Sequence, residues 1–170
     1  MPITTCPLPD QSLLRRYQNG IDFVDCYTTT LSGIHTHAAY VQTFYCTRLF
    51  KLERAILSML LRRPSSDAQA EQLALKEIDH FAAWRVEARS EKQLLLCDLR
   101  GQTRSWLMTA TEDTQTRLYF GSAVVHSRKP DNEQPHPSRL FRLLVGFHKQ
   151  YSIALLSSAR SALLKQSQRS

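Results

Sequence analysis

The amino-acid sequence predicts an α+β fold, in which an antiparallel β-meander packs against a long C-terminal helix and a strand and two helices precede the meander. Apolar and polar residues alternate in residues 81–90, which is the period of a strand with one buried face, and three further runs with short polar connections follow up to residue 125. Apolar residues recur at steps of three and four in residues 35–63 and 139–165, as in amphipathic helices. The 170 residues have the length of one ordinary domain.

The sequence divides into three parts. Residues 20–166 are predicted to form a single α+β domain, residues 1–19 an N-terminal extension and residues 167–170 a tail. Inside the domain, residues 126–138 contain three prolines and no apolar period, so they are predicted to form a loop.

The part before the meander begins with a strand from Gly20 to Leu31, which is rich in β-branched and aromatic residues. One amphipathic helix is predicted from His35 to Arg63, because Pro64 cannot continue it. Its apolar stripe consists of Val41, Tyr45, Leu49, Leu52, Ile56 and Met59, and its polar side carries Gln42, Arg48, Lys51 and Arg54. A second, shorter helix follows from Asp67 to Ile78, with Ser66 or Asp67 as its N-cap.

The meander is predicted to contain four strands, which makes five in the whole chain. In the first of them, from Phe81 to Ser90, the alternation places Ala82, Trp84, Val86 and Ala88 in the core, with Arg85, Glu87 and Arg89 in solvent. The other three strands are Lys92–Arg100, Thr103–Thr111 and Thr116–Val125. Connections of about two to five residues join antiparallel neighbours, whereas a parallel crossover needs a dozen or more.

The last predicted element is a helix from Arg139 to about Lys165, with Ser138 as its N-cap. Its apolar stripe consists of Leu140, Leu144, Phe147, Tyr151, Leu155 and Ala162. A helix of about 26 residues reaches roughly 39 Å, which is enough to lie across the whole meander.

This order of elements, from Gly20 to Lys165, resembles the helix-grip architecture of the START and Bet v 1-like proteins. In that superfamily a curved antiparallel sheet wraps around the last helix, and an apolar cavity lies between them. Those folds usually have six or seven strands, so a chain with five implies a reduced cavity or none. At closer range, TFYCTRLFKLERAIL, FAAWRVEAR, GQTRSWLM, RLYFGSAVV and GFHKQYS look like a family of bacterial proteins of unknown function. That likeness implies no known chemistry.

The composition predicts a soluble protein of the cytoplasm. Apolar residues make up 42% of the chain and charged residues 22%, and no run approaches the roughly 20 apolar residues of a membrane span. The N-terminus lacks the apolar region of a secretory signal. The four cysteines, which are Cys6, Cys26, Cys46 and Cys97, form no Cys-x-x-Cys pair, so we expect reduced thiols that pack as small hydrophobic or surface groups.

The net charge of +7 is concentrated at the C-terminal end, since the residues from His126 onward carry +6. Such an end could meet a phosphate backbone or an anionic membrane, or it could be a solvated helix face with a ragged tail. Nucleic-acid binding needs basic residues interleaved with exposed aromatic ones, and here the aromatic residues follow core spacing. A nucleic-acid partner is therefore not expected.

The segment IHTHAAYVQTFYC contains two histidines and a cysteine that resemble metal ligands. A zinc site needs three or four converging ligands, and His35 and His37 provide two. On a helix, residues two apart point about 200° away from each other, and Cys46 lies deep in the helix that follows. The sequence favours the start of a helix here, so no metal or other cofactor is predicted.

Aromatic residues of the meander and the last helix could line a pocket for an apolar ligand, or they could simply form the core. The candidate ligand-binding residues are Trp84, Arg104, Trp106, Tyr119, Phe147, His148 and Tyr151. The alternation puts Arg104 on the same face as Trp106.

Catalysis has weaker support. A cavity-facing His148 could act as a general base, but it needs an orienting partner, and the meander offers only Asp98 and an outward-pointing Glu87. The sequence also lacks the Gly-x-Ser-x-Gly elbow, the phosphate-binding Gly-x-x-x-x-Gly-Lys loop and the Gly-x-Gly-x-x-Gly turn. No catalytic residue is assigned.

Two functions follow from this interpretation. In the first, the domain binds a small apolar or amphipathic molecule between the meander and the C-terminal helix. In the second, it is a protein-interaction module without a cavity, whose sheet edge or basic helix docks on a second copy or on another protein.

Overall fold

The computed structural model describes residues 2–18, 23–61, 64–125 and 139–168, without the side chains of residues 56–61 and 139–148. Within that part, the chain is an α+β domain with a seven-stranded antiparallel sheet and four α-helices. The long C-terminal helix packs against the sheet, which confirms the predicted fold class. The predicted loop at residues 126–138 and the predicted cap Ser138 lie outside the described residues.

The strands are β1 (Thr4–Thr5), β2 (Phe23–Ser32), β3 (His80–Phe81), β4 (Trp84–Arg89), β5 (Gln93–Asp98), β6 (Thr103–Glu112) and β7 (Gln115–Val124). Their order in the sheet is β1-β2-β7-β6-β5-β4-β3. The first long strand, β2, therefore pairs with the last one, β7, in register from Phe23 opposite Val124 to Ser32 opposite Gln115. The prediction of five strands was too low, because β1 and β3 have two residues each, too few to show an alternation.

The α-helices are α1 (His37–Tyr45), α2 (Arg48–Leu61), α3 (Asp67–Ala74) and α4 (Arg139–Ser167), and a short 3₁₀ helix spans Leu13–Tyr17. Ser66 caps α3 through a reciprocal capping box with Gln69, as one of the two predicted caps. The helix ends before the predicted Ile78, and Lys76 adopts a positive φ of 67° just after it. No helix in the described part of the chain is long and apolar enough to cross a membrane.

The prediction of one long helix over residues 35–63 was wrong, because the helix is interrupted at Cys46 and Thr47. The Thr47 hydroxyl donates to the Phe44 carbonyl oxygen and accepts from the Phe50 amide, so it ends α1 and begins α2. The break rotates the buried face of α2. Leu52 is consequently 60% exposed, whereas Phe50 and Arg54 are buried.

The two faces of the sheet are covered by different parts of the chain. The face that meets α1, α3 and α4 is called the inner face here, and its core includes Tyr27, Leu31, Leu94, Leu96, Leu107, Leu118 and Phe120. Helix α4 contributes Ser152, Leu155, Leu156, Ala159 and Leu163 to this side. This stripe is shifted from the predicted one, since Ala162 is only half-buried.

The opposite face, called the outer face here, is covered by residues 6–18. Leu8 and Leu14 pack there against a cluster that contains Cys26, Leu95, Trp106, Met108, Tyr119 and Ala123. Gly121 lies at the closest approach, because an added Cβ would stand 2.8 Å from Leu14 Cδ2 and 3.0 Å from Trp106 Cε3. The Gln93 side chain accepts from the Leu13 amide and from Trp106 Nε1. The N-terminal residues thus complete a second apolar core.

A β-bulge in β4 corrects the predicted pattern of that strand. The pairing of β4 with β5 shifts between Val86 and Ala88, so Trp84 and Val86 pack on the inner face and Ala88 packs on the outer face. Glu87, predicted to lie in solvent, is nearly buried and forms an ion pair with Arg104 on the outer face, 2.5 Å between Arg104 Nε and Glu87 Oε2.

Candidate functional site

Three of the predicted ligand-binding residues lie on the outer face. Trp106 is completely buried, with its ring centre 6.2 Å from that of Tyr119. Arg104 pairs with Glu87, and its guanidinium carbon stands 4.8 Å from the ring centre of Tyr17. These residues fasten the N-terminal segment to the sheet, and they do not face the space between the sheet and α4.

Two other predicted residues lie on the inner face. Trp84 and Tyr151 are partly buried against the inner core, Trp84 from β4 and Tyr151 from α4. The side chains of Phe147 and His148 lie outside the described residues. The structure therefore brings together only part of the predicted set on the side where a ligand was expected.

Polar residues that the sequence reasoning missed lie beside them on the inner face. Asp25 of β2 is directly opposite Ser122 of β7, which is directly opposite Ser105 of β6. Each of the three is two positions away from an inner-core residue of its own strand, and so lies on the same face of the sheet. Those inner-core residues are Tyr27, Phe120 and Leu107. Asp25, Ser122 and Ser105 are called the inner polar row below.

The Asp25 carboxylate is held firmly in this row. Its Oδ1 accepts from the amide and the hydroxyl of Ser122, at 3.0 and 2.5 Å, and its Oδ2 accepts from the Tyr27 hydroxyl at 3.0 Å. Burial, followed by the charge of Asp25, raises the pKa of Tyr27. A carboxylate fixed by three donors is a defined acceptor site in an otherwise apolar core.

Tyr45, at the end of α1, reaches toward Ser105 of the inner polar row. Its ring packs 4.8 Å from Phe50 and 5.3 Å from Phe81, measured between ring centres. Burial raises the pKa of Tyr45, and the neighbouring Ser105 hydroxyl opposes that rise. The Tyr45 hydroxyl is buried and completes no hydrogen bond of normal geometry.

Glu53 of α2 and Tyr151 of α4 form the other polar contact of this region. The Tyr151 hydroxyl donates to Glu53 Oε2. Burial raises the pKa of Glu53, and the hydrogen bond from Tyr151 partly opposes the rise. Burial and the adjacent Glu53 carboxylate raise the pKa of Tyr151 in turn. The pair therefore favours a protonated, neutral carboxyl more than a free Glu does.

Two further polar atoms near these residues are buried without a partner. They are Trp84 Nε1 and Ser152 Oγ, and within the described chain neither has a hydrogen bond. Trp84 pairs in the sheet with Phe81, which packs against Tyr45, while Ser152 follows Tyr151 on α4. Buried polar groups normally find partners, so these two atoms are exceptions within the inner core.

Only part of this region had a signal in the sequence. Asp25 stands between Phe23 and Tyr27 on the same face of a strand, and a carboxylate at such a position is an unusual residue that indicates a polar site. Ser105 and Ser122 are small residues with no such signal. Glu53 lies on an amphipathic helix whose orientation changed with the break at Thr47.

The described residues also form two clefts elsewhere. One, of about 300 Å³, is lined by Cys6, Pro7, Leu8, Gln18, Val24, Asp25 and Cys26. The other, of about 90 Å³, lies between β2 and α4 and is lined by Thr30, Leu31, Ser32, Gln115, Arg160 and Leu164. Neither is lined by a residue of the predicted ligand-binding set.

The histidines of IHTHAAYVQTFYC stand at the start of α1, as predicted. Thr36 caps the helix and α1 begins at His37. His35 Nε2 is 3.2 Å from the Ser32 carbonyl oxygen in an exposed position, whereas both ring nitrogens of His37 are buried without partners. In the part of the chain that is described, no three His, Cys, Asp or Glu side chains are grouped as metal ligands would be.

Comparisons of the chain with protein-family models, with curated proteins and with solved structures give no match. The class of protein is therefore defined by the fold alone, a seven-stranded antiparallel sheet with helices on its inner face and an N-terminal segment on its outer face.

Proposed function

We propose that the protein binds a small amphipathic molecule on the inner face, between the sheet and α4. The observation that carries the proposal is the set of buried polar atoms without partners, namely Tyr45 Oη, Trp84 Nε1 and Ser152 Oγ. An unpaired buried polar group costs about 1–3 kcal/mol, so three of them in one core favour a role in recognising a partner that the chain itself does not supply.

The chemistry of the neighbouring residues favours a ligand with a neutral polar group. The side chains around the three atoms supply hydroxyl groups and the carboxyl groups of Asp25 and Glu53. The Asp25 carboxylate would repel a ligand carboxylate, whereas a ligand hydroxyl or amide can both donate and accept. The apolar part of the ligand would pack against aromatic residues such as Phe44, Phe81 and Phe120.

The helix-grip resemblance supports the same location. Strand β2 pairs with β7, and α4 packs on the inner face of the sheet. Both features are expected of a sheet that wraps around its last helix. The sheet has seven strands, which is within the usual number for that superfamily. The relationship to START and Bet v 1-like proteins stays a prediction, and it is not needed for the proposal.

The alternative, an interaction module whose sheet edge or basic last helix docks on a second copy or on another protein, also stays a prediction. The edge strands β1 and β3 have two residues each, which gives a second chain little backbone to pair with. The large exposed apolar residues are dispersed along the described chain, at Ile34, Leu52, Leu75 and Leu99. We therefore favour the ligand.

The test is mass spectrometry of small molecules extracted from the natively purified protein, before and after incubation with a total lipid extract. We expect an amphipathic compound at a ratio near one per protein. In Tyr45→Phe, which removes one unpartnered inner hydroxyl, its retention should fall by about tenfold, as the loss of one hydrogen bond to a ligand implies.

Tyr119→Phe is the matched control, because it removes a tyrosine hydroxyl on the outer face. It should retain the compound as the unmodified protein does. Absence of any compound above background in all samples would reject the function. Equal retention in the two variants would reject the proposed location.

A further inference from the structure

Cys6 and Cys26 lie side by side at one edge of the sheet. The pairing of β1 with β2 places Thr5 opposite Tyr27, and one residue further along, the Cys6 amide donates to the Cys26 carbonyl oxygen at 3.0 Å. The two Sγ atoms are 3.3 Å apart. A disulfide has an S–S length of about 2.05 Å, so small rotations of the two side chains would bring the sulfur atoms to bonding distance.

The two thiols differ in their accessibility. Cys6 is half-buried, whereas Cys26 is only 5% exposed. Both line the cleft of about 300 Å³, which is large enough to admit a small reagent. A reagent from solvent would therefore reach Cys6 first, and Cys26 would react through Cys6.

The electrostatics of the pair fit the same order of events. The hydrogen bond with Cys26 lowers the pKa of the Cys6 thiol. The same contact and burial raise the pKa of Cys26, which keeps that thiol protonated. Cys6 is thus the thiol with more thiolate character, and the thiolate is the reactive form.

We propose that Cys6 and Cys26 form a redox-active dithiol that a small peroxide converts into a disulfide. The Cys6 thiolate attacks one oxygen of the peroxide, the O–O bond breaks, and a Cys6 sulfenic acid forms. The departing hydroxide takes up the proton that Cys6 had released. Cys26 Sγ then attacks Cys6 Sγ, the S–O bond breaks, and the Cys26 proton leaves with the hydroxyl group as water.

The overall reaction is balanced. With hydrogen peroxide, the two sulfur atoms together lose two electrons, the peroxide gains them, and two molecules of water form. A reducing thiol reverses the reaction by two successive exchanges, in which the protein disulfide is reduced and the reductant becomes a disulfide. The dithiol therefore fits a compartment that is normally reducing, as the sequence predicts.

The disulfide would act on the N-terminal segment. Residues 6–18 cover the outer face, where Leu8 and Leu14 pack in the same cluster as Trp106. A bond between Cys6 and Cys26 closes a loop that contains the 3₁₀ helix and ties this segment covalently to β2. Oxidation would thus attach the N-terminal segment covalently to the sheet. In the reduced protein, packing and hydrogen bonds alone would hold this segment on the outer face.

The experiment treats the reduced full-length protein with an equimolar amount of hydrogen peroxide and maps its peptides under non-reducing conditions. We expect an intramolecular cross-linked peptide pair that contains Cys6 and Cys26 and that disappears with dithiothreitol. Cys46→Ser, which removes another half-buried thiol, should give the same cross-link, and Cys6→Ser should give none.

The oxidised protein should also unfold at a higher Tm than the reduced protein, by roughly 5–10 °C, and this rise should be absent in Cys6→Ser. Failure to form the cross-link, or pairing of Cys6 with any other cysteine or between chains, would overturn the proposal. A cross-link without any change in Tm would overturn the fastening of the N-terminal segment.

Discussion

The Tyr151 hydroxyl donates a hydrogen bond to Glu53 Oε2 and so joins α4 to α2 beside the inner polar row. Glu53 carries a carboxyl group into a largely apolar region, where the neutral form is favoured and its pKa is raised. Polar contacts of this kind place ionisable groups in the inner core, which the hydrophobic pattern of the sequence does not predict. They also make the stability of the protein depend on pH.

Glu53→Gln is expected to stabilise the protein more at high pH than at low pH. Because the pKa of Glu53 is higher in the folded state than in the unfolded state, ionisation of Glu53 opposes folding as the pH rises through its folded-state pKa. The glutamine stays neutral and can still accept from Tyr151. Urea unfolding of both proteins between about pH 4 and about pH 8 should show a difference in the free energy of unfolding that grows with pH. A difference that is constant over this range would contradict the raised pKa.

His37 should give a pH dependence of the opposite direction. Burial, with a smaller contribution from Lys76, lowers the pKa of His37 from 6.5 to about 4, so the stability it contributes is present above pH 6.5 and is lost as the pH falls toward 4. Over that pH interval, the free energy of unfolding of His37→Gln should therefore fall by about 2 kcal/mol less than that of the unmodified protein. His35→Gln is the matched control, because the His35 ring contacts the Ser32 carbonyl oxygen at the surface. Equal acid sensitivity in all three proteins would show that His37 is not the titrating group.

Tyr45→Phe should leave the free energy of unfolding unchanged or raise it by up to about 1 kcal/mol. The mutation removes a buried hydroxyl that completes no hydrogen bond and leaves the aromatic packing in place. Urea unfolding of ligand-free protein measures the effect. A loss of 2 kcal/mol or more, roughly that of a buried hydrogen bond to a charged group, would show that this hydroxyl has a strong partner in the folded chain.

Gly121→Ala should destabilise the protein by about 1–3 kcal/mol, because the new methyl group overpacks the outer face. Its Cβ would stand 2.8 Å from Leu14 Cδ2, with the Asp25 carbonyl oxygen and Trp106 Cε3 each at 3.0 Å. In a double mutant with Leu14→Ala, the total loss should be smaller than the sum of the two single losses, because the alanine makes room for the methyl group. Strict additivity would argue against this contact.

Several features were predictable because they depend on short stretches of chain. The α+β class follows from the change between periods of two and 3.6 residues, and the short connections between the meander strands leave only antiparallel pairing. The cap at Ser66 follows from local chemistry, since the side chains of Ser66 and Gln69 bond to backbone amides three residues apart.

Other features depended on interactions that periodicity does not encode. The Thr47 hydroxyl ends one helix and begins another within a continuous apolar pattern, and this turned Leu52 outward and Arg54 inward. Arg54 is buried at a cost that its bonds to Asp67 and Ser65 offset. The bulge in β4 adds one residue that has no counterpart in the partner strand β5. Because of this extra residue, Glu87 lies beside Arg104 and forms an ion pair with it.

The sequence alone therefore determined the class of the fold and which residues of each element share a face, because the periods of helices and strands are local properties of the backbone. The tertiary structure decided which face of the sheet each set occupies. Arg104, Trp106 and Tyr119 lie under the N-terminal segment, whereas Trp84 and Tyr151 lie on the inner face with Asp25, Ser105 and Ser122. Alternation defines two sides of a strand without saying which one meets the helices, and only long-range packing and strand register make that choice.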